Sequence, residues 1–423
     1  LVSAGTARGA HRRRLLVSTL RYPPYVAGGY ELLTRDVAEA LRARGHTVSV
    51  LCGRGGEFGA QAGVLPWLEP ALERDGRAVD LYAESYGAGN LERFRLHFWR
   101  GANARACARA LRETRAELLV FFNLALVSIA PIAAARALSI PTLGFVSDPW
   151  PQNHWVSDWR RAGAKPERQR LLEQAWRGLR ATVDLGRLLV PSEYLRRELV
   201  RDGIPAHDLE RLPLALPRDA PPPRLERAVR ARADGEALRV FCGSMLWEGK
   251  GQHVLLEAAE RAQAQGVRLE LRLAGTGTPG YRARLEELAR SPALHGRVQF
   301  LGLVSRAQYA AELEAAHVFA LPSVWGEPFA LAPLEALASG SAVVVSDAGG
   351  SPELVEHGAS GWVARAGDAG ALCEALVALA RDEGMRQRLA RAGRERVARA
   401  HMPDTFVDGF EHALERALEC GPR

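Results

Sequence analysis

Short apolar runs alternate with helix-patterned stretches along nearly the whole chain, and that alternation admits few folds. Runs at residues 15–18, 47–51, 79–82, 118–122, 142–146 and 188–191 are each followed by a loop or an amphipathic stretch. In the first such stretch Leu33, Val37 and Leu41 share one helical face, and Gly45 ends it. Strands this short and this apolar, separated by helices, read as a parallel sheet covered on both faces. RLPLALP at residues 211–217 and the proline-rich run behind it mark a crossing between domains. A second series then begins, with strands expected at 238–242, 269–273, 298–301, 318–321 and 342–346. The expectation is an α/β chain of two doubly wound domains, residues 1–213 and 214–400. Residues 401–423 form a terminal helix with Phe406, Phe410, Leu414 and Leu418 on one face.

Composition mostly excludes. At 423 residues, 47% hydrophobic and 25% charged, the chain has the makeup of a globular protein with room for two cores. No apolar run approaches the roughly 18–20 residues that a bilayer requires. The run after Arg12, Arg13 and Arg14 is cut short by RYPPY, so export is not expected. Cys52, Cys107, Cys242, Cys373 and Cys420 show no C-x-x-C spacing and sit mostly in apolar stretches. That fits a reducing cytoplasm and argues against a zinc site or a disulfide framework. The net charge of +7 is almost wholly arginine, with Lys165 and Lys250 the two lysines. Two basic segments carry aromatics: residues 93–115 with Phe94, Phe98 and Trp99, and residues 155–180 with Trp159 and Trp176. Peripheral contact with an anionic inner membrane face is one reading of them. Ordinary helices with inward aromatics are the favoured one. No stacking motif or recognition module supports nucleic-acid binding.

The richest stretch is PSVWGEPFALAPLEALASGSAVVVSDAGG, residues 322–350. It reads as a strand end, a loop with Glu327, a short helix with Glu335, a stop at Gly340 and a buried strand. Pro333 is expected as the first helical residue, where its missing N–H costs nothing. The amides of Phe329, Ala330 and Leu331 then point outward from the helix start, and with the helix dipole they form a seat for an anion. Glu327 and Glu335 flank that seat, each able to accept hydrogen bonds from hydroxyl groups. Phosphate on amides and hydroxyls on carboxylates together describe a nucleotide sugar. Upstream, Lys250 and Gly251 precede a helix, where phosphate charge is again welcome.

Glu327 and Glu335, with seven residues between them, resemble the E-x7-E motif of retaining GT-B glycosyltransferases of family 4, the glycosyl transferases group 1. The likeness extends to Pro322-Ser323 ahead of Glu327-Pro328-Phe329, to the L-E-A-L-A-S-G helix, to A-V-V-V-S, and to Gly349, Gly350 and Glu353. It is specific in residues 238–365 and loose in residues 52–190. The resemblance implies the GT-B fold: two Rossmann-like domains with parallel sheets facing each other across a cleft. The first domain would take the acceptor, the second the donor, and the terminal helix would cross back to the first. The implied activity is cytoplasmic sugar transfer in polysaccharide or glycoconjugate biosynthesis, with a nucleotide-sugar donor as co-substrate, no cofactor and no metal. The lack of any D-x-D sequence agrees. By resemblance Glu327 and Lys250 are catalytic, and the donor is bound by Gly29, Ser244, Gly275, Leu303, Phe329, Ala330, Leu331 and Glu335. Asp148, Asn123 and His154 fall on the acceptor side. The acceptor class stays open among a sugar, a lipid-linked sugar and a small molecule.

Several positions depart from that pattern. Ser244 stands where an arginine is frequent, and Ala330 where a glycine is usual. Histidines common in the family near Phe122 and before Asp148 are missing, with His154 the nearest substitute. These departures keep a second reading open, a non-catalytic sugar-nucleotide-binding protein of the same fold. An epimerase of that fold is weaker, as is a two-carboxylate glycoside hydrolase, because both glutamates sit on one loop–helix unit. Gly275, Gly277 and Gly280 spell G-x-G-x-x-G after a strand. Yet the acidic residue that a dinucleotide site wants about 20 positions on is missing.

Overall fold

The computed structural model describes residues 12–25, 29–54, 62–69, 73, 74, 77, 78, 99–148, 167 and 184–421. They divide into two units: Leu1–Pro191, Leu195–Leu212 and Val407–Arg423 make the first, Ser192–Tyr194 and Pro213–Phe406 the second. The strand expected at residues 79–82, together with Gly28, His154 and nearly all of residues 155–180, lies outside the described residues.

The first unit is built on β1 (Arg14–Ser18), whose Leu15, Leu16 and Val17 are buried. Helix α1 (Gly29–Ala43) follows and buries Val37, Ala38 and Leu41, as the helical spacing predicts. The remaining strands are β2 (Thr47–Gly53), β3 (Val64–Leu68), a short antiparallel pair of β4 (Glu73–Arg74) and β5 (Arg77–Ala78), β6 (Leu118–Phe121), β7 (Thr142–Phe145), β8 (Arg187–Val190) and β9 (Leu209–Arg211). The main sheet runs β3-β2-β1-β6-β7-β8-β9. Every neighbouring pair in it is parallel. Sequence reasoning does not find the two edge strands. Pro66 demotes β3 as a strand, and an edge is where proline is tolerated. Strand β9 is three residues long and takes up Arg211, so the crossing starts one residue later than expected. Helix α2 (Gly101–Thr114) turns Cys107, Ala110 and Leu111 inward beside α3 (Ala130–Ala137) and β3. The described part of the first basic segment is therefore an ordinary packed helix. Helix α4 (Glu193–Arg201) follows β8.

The second unit repeats the scheme. Its strands are β10 (Leu238–Gly243), β11 (Leu269–Ala274), β12 (Val298–Gly302), β13 (Val318–Leu321), β14 (Ala342–Ser346) and β15 (Trp362–Ala364), ordered β12-β11-β10-β13-β14-β15. All are parallel. Helices α5 (Gln252–Ala264), α6 (Pro279–Ala289), α7 (Arg306–Ala315), α8 (Leu331–Ser339), α9 (Ala369–Arg381) and α10 (Glu383–Ala400) cover the faces. Alternate side chains of β13 feed opposite cores: Val318 and Ala320 join Leu255 and Leu376, while Phe319 and Leu321 join Leu334 and Leu337. That explains why the strand reads as a continuous apolar run.

Helix α11 (Pro403–Cys420) contributes its length from Val407 onward to the first unit. Phe410 is fully buried there and stacks on Phe122, ring centroids 6.1 Å apart. Arg13 pairs with Glu415 at 2.6 Å, and Arg44 with Asp408 at 2.7 Å and Glu411 at 2.5 Å. No helix among the described residues is long and apolar enough to cross a membrane.

Candidate functional site

The described features of the second unit converge where β10 and β13 end. After Gly243 the chain makes a short turn, Glu248–Lys250, and Gly251 caps α5 at φ 70°, a conformation that glycine adopts without strain. A Cβ on Gly251 would lie 1.9 Å from the Pro322 carbonyl oxygen. The Val324 amide donates to the Gly249 carbonyl at 2.8 Å, so the loop after β13 is stitched to this turn. That stitching brings two oppositely charged side chains together.

Lys250 Nζ lies 2.5 Å from Glu327 Oε1. The same oxygen accepts from the Ser323 hydroxyl and the Trp325 indole N–H, each at 2.8 Å. Glu327 is almost wholly buried at 3% exposure, so its charge is held by an ammonium and two neutral donors. Among the described residues no donor is bonded to its other oxygen, Oε2. Lys250, expected as a phosphate ligand, is thus also the counter-ion of Glu327. Its ammonium has three protons, and the carboxylate takes one. Trp325, which sequence reasoning did not single out, lies with its ring centroid 5.7 Å from Lys250 Nζ, and Trp247 packs on Trp325 with ring centroids 5.5 Å apart. The two glycines after β14 have a matching role: a Cβ on Gly349 would lie 2.3 Å from the Glu327 amide nitrogen, and the Gly350 amide donates to the Glu327 carbonyl.

Helix α8 begins at Leu331 and not at Pro333. Pro333 is its third residue, still within the first turn where amides lack intrahelical partners, so the proline costs no hydrogen bond there either. The amides of Phe329, Ala330 and Leu331 donate to no acceptor among the described residues. Ala330 has φ −113°, ordinary extended backbone, so alanine in place of the usual glycine introduces no strain. Gly340 closes the helix at φ 90°.

Ser244 does not face open space alone. Its hydroxyl accepts from Gln252 Nε2 at 3.0 Å, and its amide donates to the Ala274 carbonyl. Gln252, fully buried at the start of α5, also donates to the Met245 carbonyl and so pins the loop after β10. Sequence gave no signal for it. Gly275 has φ 129°, and its Cβ would lie 2.0 Å from the Ser244 carbonyl oxygen; on Gly277 it would lie 1.8 Å from that of Leu246. Two of the three glycines in the G-x-G-x-x-G string thus let two loops touch backbone to backbone, while Gly280 has open space around it. Leu303, beyond a turn whose Gly302 carbonyl accepts from the Gly275 amide, is 83% exposed.

Glu335 lies one turn into α8 and is buried. Arg306, at the start of α7, places Nη1 3.0 Å from its Oε2 and 3.3 Å from its Oε1. Burial pushes the Glu335 carboxyl above its ordinary range, and the Arg306 guanidinium works against that shift. Arg306 is another residue that sequence reasoning missed.

In the first unit Gly29 opens α1. Tyr30, beside it, accepts a hydrogen bond from the Ser147 amide at 2.6 Å, and burial followed by the Asp148 charge holds its phenol well above normal. Asn123 Nδ2 lies 3.4 Å from Asp148 Oδ2, so these two residues, expected on the acceptor side, are neighbours. The loop beyond Asn123 is buried and holds Leu126 and Ser128 at φ 66° and 77°, rare conformations for such residues. Phe122, near which the resemblance leads one to expect a histidine, is core and stacks on Phe410.

Comparison with known proteins agrees with this architecture. The family model described as glycosyl transferases group 1 matches residues 224–396, and that of the glycosyl transferase 4-like domain matches residues 28–215. The chain is 36% identical over 162 residues to the phosphatidyl-myo-inositol mannosyltransferase of Mycobacterium leprae, covering 38% of this chain and 41% of that one. It is 30% identical over 227 residues to the amylovoran biosynthesis glycosyltransferase AmsK of Erwinia amylovora, covering 52% and 54%. The chain therefore spans about half the length of these relatives or less. At 27% identity the glycogen synthase of Mycobacterium tuberculosis aligns over 91% of this chain and 90% of its own. Among solved structures, HepE of Anabaena in complex with UDP and glucose superposes with a TM-score of 0.66 at 19% identity, covering 96% of this chain and all of that one. Two parallel-sheet units and two adjoining family matches over most of its length agree: the chain belongs to the GT-B glycosyltransferases of family 4.

Proposed function

We propose that this protein moves a sugar from a nucleotide-diphosphate donor to a hydroxyl acceptor, without a metal and with retention of anomeric configuration. The Lys250–Glu327 pair carries the reading. In such a transfer the bond from the sugar C1 to the diphosphate oxygen breaks, and a bond from C1 to the acceptor oxygen forms. The acceptor proton leaves with the departing phosphate, and charge grows on the diphosphate while C1 becomes cationic. Lys250 and the Phe329–Leu331 amides suit the diphosphate, fixed in place before the reaction as electrostatic stabilisation requires. Glu327 Oε2 suits the donor sugar's hydroxyls, and Glu335 the ribose. Gly275 borders the diphosphate and Leu303 the base, while Asn123 and Asp148 stand on the acceptor side. UDP, bound by HepE, and GDP are the donor nucleotides to try first, and acceptors include sugars and lipid-linked sugars.

Release of nucleoside diphosphate from UDP-glucose and GDP-mannose tests the assignment. Lys250→Ala and Glu327→Ala are each expected to lower turnover by about 10²-fold or more, the scale for losing one preorganised electrostatic contact. Wild-type rates in both would remove the site. Donor binding with no turnover in the wild-type protein would favour the non-catalytic reading.

A further inference from the structure

Arg306 lies between two carboxylates. Its Nη1 reaches both oxygens of Glu335, and its Nη2 lies 3.3 Å from Asp219 Oδ1 on the segment before β10. Among the described residues it is the one cation bonded to Glu335. Other charged or titratable groups near α8 are bonded elsewhere, except Arg224, which lines the cavity beside Arg306 and has no side-chain partner among the described residues. Tyr309 on α7 donates weakly to the Gly243 carbonyl and is kept neutral by burial. Arg394 on α10 donates to the carbonyls of Arg224 and Arg227, and Arg227 pairs with Glu314 at 3.1 Å. A cavity of about 330 Å³ opens beside Arg306, Asp219 and Glu335. The guanidinium is half exposed, whereas the carboxylate it holds is not.

We propose that Arg306, anchored by Asp219, is a positioning residue that holds the Glu335 carboxylate as an oriented acceptor for the vicinal hydroxyls of a ribose. The idea rests on the reading of Glu335 as the ribose-binding group. A carboxylate offers about four acceptor positions, and Arg306 takes one on each oxygen, so two remain for hydroxyls. Glu335 is buried by its surroundings, and without a cation at this distance its carboxyl would be pushed further up than it already is. Once protonated, it would present an O–H where a second acceptor is needed. Removing Arg306 therefore costs donor affinity on the acid side: the carboxyl protonates as pH falls through its further raised value, and affinity recovers as pH rises above it.

Calorimetric titration of UDP and GDP into wild type, Arg306→Ala and Arg306→Lys at about pH 6 and about pH 8.5 tests this. The quantity read is the ratio of variant to wild-type affinity, which cancels titration of the nucleotide itself. For Arg306→Ala that ratio is expected to stay within about threefold at the higher pH and to fall about tenfold further at the lower, with Lys restoring most of the loss. A ratio that does not change with pH would overturn the proposal, and so would a folded Lys variant that tracks the Ala variant. Failure of the wild type to bind either nucleotide would remove the donor site and this inference with it. Wild-type binding with a pH-independent ratio would remove the inference alone.

Discussion

At the scale of single residues the proposed donor site is set by glycines as much as by charges. Gly251 and Gly349 do not touch a ligand in this account; each permits a backbone approach that places Lys250 or Glu327. Gly251→Ala would force a left-handed φ on alanine and drive Cβ into the Pro322 carbonyl. The left-handed conformation alone costs roughly 1–2 kcal/mol, and the clash adds to it. Urea unfolding is expected to show a loss of about 2 kcal/mol or more. A loss within about 0.5 kcal/mol would show that the two loops separate freely, and that the Lys250–Glu327 distance is not fixed by the backbone. The same physics accounts for the G-x-G-x-x-G string, whose first two glycines are spent on loop contact. Ala330, suspicious in the sequence, proves ordinary because its backbone is extended.

Elements were legible in proportion to how local their causes are. Strand β13 is written in a continuous apolar run and lies at its expected bounds, residues 318–321. Strands β3 and β9 were not legible, because Pro66 and a three-residue length hide edge strands that pairing with a neighbour stabilises. The site followed the same rule. Glu327 and Glu335 stand in one recognisable block and Lys250 at a helix start upstream, whereas Arg306 and Gln252 act through contacts 29 and 8 residues away in sequence. No spacing rule announces such contacts. Helix α11 shows what a legible face does once placed: Phe410, predicted apolar from its i+4 spacing, lies flat on Phe122. Phe410→Ala should destabilise the first unit by about 3–5 kcal/mol, the usual range for emptying a buried aromatic site. Thermal unfolding with a loss under about 1 kcal/mol would mean that the helix contributes little to that unit.

For the whole molecule, fold class was the most secure inference and acceptor chemistry the least, and the reason is physical. Two parallel sheets follow from patterning that any such chain must carry. The proposed diphosphate seat rests on a helix start with unbonded amides beside a lysine and two carboxylates. The residues proposed for the acceptor side, Asn123 and Asp148, come from loops whose spacing obeys no common rule. The central claim is therefore the donor site of the second unit. Calorimetric titration of UDP, GDP and ADP into the wild-type protein and Glu335→Ala tests it most directly. One diphosphate should bind in preference to the others, and Glu335→Ala should bind it about tenfold or more weakly, as loss of charge-assisted hydrogen bonds worth ~1.5–3 kcal/mol each implies. Equal affinity in the variant, or no binding of any of the three by the wild type, would contradict the account.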